Sequence, residues 1–196
     1  MDLAGNAGRD ARRQPRPWWS RRRILITLGW LFLLECPRGV AAEITRELQI
    51  KAGLLRQLIF HVEWPRTAFP ADNAPLLVGI LGSDPFGEFL EKLLDQKAGG
   101  RPIRVVRFDS VEKLGDCHFL YVNLPEPKEV QRALDLLRTK PVLTVSDREG
   151  FTEQGGIINL LKYRNHLKPH INNAAARRVG LTINSLLLTV AEITNP

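Results

Sequence analysis

Cysteine is nearly missing from this chain: Cys36 and Cys117 are the only two in 196 residues. One of them falls in an N-terminal segment that reads as a leader, so the remaining domain cannot close an internal disulfide and must stand on its core. Metal-ligand spacing is also missing. The four histidines, His61, His118, His166 and His170, are scattered, and the closest pair in sequence, His166 and His170, lies on a predicted strand about 13 Å apart, too far for one zinc. Gly79-x-x-Gly82 is followed by neither Lys nor Thr, which excludes a phosphate loop. Ser83, Ser146 and Ser185 lack the strand-turn-helix context of a nucleophile elbow. Cys117 and His118 are strand neighbours that point to opposite faces, so they form no thiolate pair. These absences predict no enzyme, no metal and no cofactor.

A long apolar run is lacking too. Ile24 to Leu34 is uncharged for 11 residues, and a bilayer span needs about 20. Preceded by Arg9, Arg12, Arg13, Arg16, Arg21, Arg22 and Arg23 and followed by Val40-Ala41-Ala42, it fits a secretory signal with the cut after Ala42. Ser20 to Leu25 also resembles a twin-arginine motif, and both export routes stay open. Residues 1–42 hold eight of the 28 Lys and Arg and three of the 21 Asp and Glu. The remaining 154 residues therefore carry 20 against 18, a net of +2. The basic excess belongs to the leader, and nucleic-acid binding loses its support. Residues 43–196 make one domain, expected in the periplasm.

Apolar positions at spacings of three or four, from Ile44 through Leu48, Ala52, Leu55 and Ile59, predict a helix over 44–64, ended by Pro65. Strands follow at Leu76–Leu81, Ile103–Phe108 and Cys117–Val122. Between the first two, Asp84 caps a helix with Pro85 at its first position, running to Lys97. A helix over Pro127–Arg138 feeds a strand at Val142–Val145. Gly155-Gly156 swings the backbone into Ile157–Leu161, a further strand spans 165–171, and Asn172 caps a helix over Asn173–Arg178. Leu181 to Ile193 supplies a last apolar helix. This alternation predicts an α/β three-layer sandwich with a mostly parallel central sheet, extended by an antiparallel edge pair.

In such a sheet the loops after parallel strands share one edge, and ligands sit where strand order reverses. Ser83, Asp84, Ser146 and Asp147 stand on two of these loops, and they form the candidate small-ligand cleft. The competing reading, that they cap helices and close turns, stays open. Lys162 to His166 is basic and aromatic, and Tyr163, Arg164 and His166 are the candidate partner-binding residues against the plainer reading of a solvated strand face. Cys117 is the one redox candidate, and a buried inert thiol is the plainer reading.

One ordered set of motifs carries a resemblance. Phe60-His61-Val62-Glu63-Trp64-Pro65, Gly79 to Gly87, Gly115 to Leu120, Val142 to Asp147, Gly155 to Leu160 and Ile171 to Leu188 follow one another as in the YfiR family of secreted bacterial regulators. The chain resembles that family over roughly residues 47 to 188. The resemblance implies a periplasmic repressor that binds the sensor domain of an inner-membrane diguanylate cyclase and lowers cyclic di-GMP signalling and biofilm formation. It also implies a second cysteine near Gly79, which this chain lacks. A homodimer, or a bridge between molecules through Cys117, stays open, as does the alternative of a periplasmic small-molecule-binding protein.

Overall fold

In a computed structural model of the protein, the described residues are 38–194 other than Asn165, with side chains from residue 46 onward. The expected export signal lies outside the described residues up to position 37. Helix α1, Arg38–Phe60, is followed by the two-residue strand β1, Val62–Glu63. Strand β2 is Leu76–Gly82, α2 Glu88–Leu94, β3 Lys97–Ala98 and β4 Arg101–Phe108. Strand β5, Phe119–Asn123, leads through α3, Pro127–Leu137, to β6, Leu143–Ser146. The hairpin β7, Ile158–Tyr163, and β8, His166–Ile171, precedes α4, Asn173–Arg178. Strand β9, Thr182–Ile183, α5, Ser185–Val190, and β10, Glu192–Ile193, complete the chain.

Eight strands form one sheet in the order β10-β8-β7-β6-β5-β2-β4-β3. Strands β4, β2, β5, β6 and β7 run parallel, and β7 pairs antiparallel with β8, as the alternating sequence pattern requires. Side-chain alternation splits the core into two layers. Leu76, Val78, Ile80, Phe119, Tyr121, Leu143 and Val145 face α1, α2, α4 and α5. Leu81, Leu120 and Val122 face α3 and the ring of Phe151.

Three elements differ from the sequence reading. The first helix stops at Phe60 because Val62 and Glu63 pair antiparallel with Ile183 and Thr182, a tie between the two ends of the domain. Helix α2 opens at Glu88 rather than Pro85 and closes at Leu94, leaving Lys97 to strand β3. Asp84 Oδ1 accepts from the amides of Phe86 and Gly87, which closes a turn, and Gly87 then takes φ +52 before the helix begins. The apolar stretch after Gly180 is not one helix. Asn184 accepts from the Leu186 amide and so caps a separate six-residue α5, with β9 before it and β10 after it.

The two glycines before β7 are both required. Gly155 holds φ +98, and a Cβ on Gly156 would sit 2.3 Å from the ring of Phe151, which is fully buried.

Candidate functional site

Strand order reverses between β2 and β5, the place where an open parallel sheet usually offers a crevice. Here the two strand ends are stitched together. The Ser83 amide donates to the Asn123 carbonyl at 3.2 Å, and Asn123 Nδ2 donates to the Ser83 carbonyl at 2.8 Å. Gly82, at φ +89, permits the approach, since a Cβ there would lie 2.3 Å from the Asn123 oxygen.

The candidate ligand residues are placed around this edge as follows. Asp84 turns toward β4: besides its turn bonds, Oδ2 accepts from Arg107 Nε at 2.7 Å. Arg107 also holds Glu91, and the hydrogen bonds to Glu91 and then Asp84 raise the guanidinium above its ordinary value. Ser146 is buried, its hydroxyl donating to the Val122 carbonyl and accepting from the Arg148 amide. Asp147 turns toward α1 and accepts from Lys51 Nζ at 2.8 Å. Burial pulls Lys51 downward, but the hydrogen bonds and charges of Asp147 and Glu47 outweigh it, and the ammonium ends above its ordinary value. The Tyr121 phenol beside Asp147 is pushed up by burial first and by that carboxylate's charge second. Ser83 is exposed. Strand β5 separates β2 from β6, and Asp84 and Asp147 are each held by a different cation, Arg107 of β4 and Lys51 of α1.

The partner-binding candidates lie at the tip of the β7–β8 hairpin. Tyr163 and His166 are the closing pair, and Arg164 adopts φ +53 in the two-residue connection, the conformation such a turn demands. The Arg164 guanidinium lies 5.6 Å from the Tyr163 ring centroid, and that ring is 61% exposed. Tyr163 and His166 form part of the mouth of an apolar groove of about 630 Å³. Leu54 and Leu58 of α1, Leu167 and Pro169 of β8, and Leu186 and Val190 of α5 line it. Leu186 and Val190 are each 63% exposed. The i, i+4 spacing of those two residues, beside an Asn that suits an N-cap, is the sequence signal for this part of the lining; reading one long helix over Leu181–Ile193 concealed it.

Cys117 is buried, and desolvation pushes its thiol up to about 12, which keeps it protonated and unreactive. A Cβ on Gly79 would stand 3.3 Å from the Cys117 Cβ, so the position where the family resemblance implies a second cysteine directly faces this one. His118 is structural. Its Nδ1 accepts from the Leu77 amide, its Nε2 donates to the Ala68 carbonyl, and it stacks on Phe69 at 4.4 Å. Burial depresses its pKa below the ordinary histidine value. Among the described residues no group of three or more His, Cys, Asp or Glu is placed to hold a metal, and no helix is long and apolar enough to cross a membrane.

The fold and its surfaces define a doubly wound α/β domain. Its strand-order crevice is sealed by Asn123, and its open apolar surface lies beside the β7–β8 hairpin. The family model described as YfiR/HmsC-like matches residues 48–192, and the chain belongs to that family. No curated protein matches it.

Proposed function

We propose that this chain is a periplasmic regulator that restrains an inner-membrane diguanylate cyclase by binding its periplasmic sensor region, so lowering cyclic di-GMP and biofilm formation. Residues 1–42 are its export signal in this reading. Membership of the YfiR/HmsC-like family supports the regulatory role. The observation that carries a binding function for this chain is the open groove with Tyr163, Arg164 and His166 at or beside its mouth. Exposed aromatic and aliphatic side chains grouped with an arginine are what interface centres are made of.

The mechanism is a shift of populations. A regulator changes its partner only by binding one conformer more tightly than another, and a 100-fold preference, about 2.7 kcal/mol, turns an evenly balanced cyclase almost wholly to the restrained form. The rim cations Lys162 and Lys168 are held only in solvent-exposed ion pairs, so they serve encounter and register, while the groove supplies burial.

The test is reconstitution. Affinity purification of the full chain from detergent-solubilised envelopes of its host is expected to bring down a diguanylate cyclase. Adding back the purified protein is then expected to slow conversion of GTP to cyclic di-GMP in those membranes. Cyclase turnover that is indifferent to saturating protein would contradict the proposal.

A further inference from the structure

The groove between α1, β8 and α5 has a second property besides its apolar lining. Its hairpin end carries an excess of positive charge. Lys162 is held by Glu47 and Lys168 by Glu192, and Lys51, which also touches Glu47, is held by Asp147. Arg164 lies against the Tyr163 ring, and among the described residues no carboxylate stands within ion-pair distance of it. Three cations at the tip and along the hairpin therefore face two carboxylates, and Arg164 is the one left over.

An apolar groove lined by two helices and a hairpin suits the apolar face of a further element, and its basic end selects the charge of what enters. We propose that the groove seats an acidic amphipathic helix of a partner protein. Apolar residues at i, i+3, i+4 and i+7 of that helix pack against Leu186 and Val190 of α5 and Leu167 and Pro169 of β8, over a length of about 10 Å. Its carboxylates meet Arg164 first, because that guanidinium needs no existing pair to be broken. The inference rests on the regulator reading and names the part of the partner that the regulator grips.

The experiment places a photoreactive p-benzoylphenylalanine at Leu186 of the full chain in its native host, with the same probe at Leu136 of α3 as a control. Leu136 is 52% exposed and belongs to the opposite layer of the sandwich. After irradiation the cross-linked peptide is sequenced. The expected capture, from the Leu186 probe only, is a segment of another envelope protein with apolar residues three and four apart and more Asp and Glu than Lys and Arg. Capture of a second copy of this chain, of a segment without acidic excess, or of nothing overturns the proposal.

Two variants keep its failure distinct from that of the regulator reading. Leu186→Asp and Arg164→Glu change exposed side chains and are expected to melt with the parent. Each is expected to weaken the captured interaction at least tenfold and to raise cellular cyclic di-GMP toward the level of a deletion strain. If deletion raises cyclic di-GMP but both variants still repress, the groove is not the docking site although the regulator reading stands. If deletion changes nothing, the regulator reading fails, and the cross-link alone decides the groove.

Discussion

Gly79→Cys converts the lone thiol of this domain into a pair, and the structure fixes what should follow. The new Cβ would stand 3.3 Å from that of Cys117, just short of the 3.5–4.5 Å range of disulfides, so a bridge needs the two backbones to part by a few tenths of an ångström. The bridge closes a loop of about 38 residues, which in the chain-entropy account removes about 13 cal/mol/K from the unfolded state, or about 4 kcal/mol at 25 °C. Against this, the added Cβ meets Leu120 Cδ1 at 2.8 Å and Phe108 Cε2 at 3.0 Å, and crowding of that kind costs about 1–3 kcal/mol. The reduced variant should therefore melt below the parent and the oxidised variant above it. For a domain of this size the two redox forms should differ by about 8–16 °C in Tm. The Cys117 thiol, pushed up to about 12, attacks slowly once buried, so oxidation belongs in the refolding buffer. The assay is calorimetry with and without reductant, beside a free-thiol titration, in a Cys36→Ser background. Two free thiols after oxidative refolding, with no effect of reductant on Tm, would refute the geometry of this face.

Three further results follow from the packing and the buried groups. Gly156→Ala drives a methyl into the Phe151 ring and should lower stability by about 1–3 kcal/mol in urea titrations, whereas Gly155→Ala is opposed only by its positive φ. His118 is held neutral by burial, so its folded pKa lies below its unfolded one and the unfolded chain binds the extra proton. Stability should accordingly fall as pH drops below about 6.5, levelling once the folded imidazole also titrates. His118→Phe should remove that component in pH-dependent melts while costing about 1–3 kcal/mol at neutral pH, because the Leu77 amide loses its acceptor.

Most of the strands and α4 could be read from the sequence because each is specified locally. Periodic apolar runs mark β2, β4, β5 and β6, and Asn172 caps α4 at the residue expected. What could not be read depends on partners distant in the chain. Phe60 ends α1 because Val62–Glu63 finds Thr182–Ile183 about 120 residues away, and the same pairing detaches α5 from the run that surrounds it. The edge carrying Asp84 and Asp147 was legible as an edge, but its geometry was not. Whether two loops converge depends on which strand lies between them, and β5 does, while Arg107 and Lys51 each claim one of the two carboxylates. The hairpin residues Tyr163, Arg164 and His166 were visible as an unusual basic and aromatic cluster. The groove beside them was not, since its walls come from three separate elements.

The central claim, that this protein restrains a cyclase from outside the inner membrane, is tested most directly by cellular cyclic di-GMP in a deletion strain. That strain is restored either with the full chain or with one lacking residues 1–42. A rise on deletion, reversed by the full chain and not by the truncated one, is the predicted result. An unchanged level on deletion, or full reversal by the chain lacking residues 1–42, would contradict it.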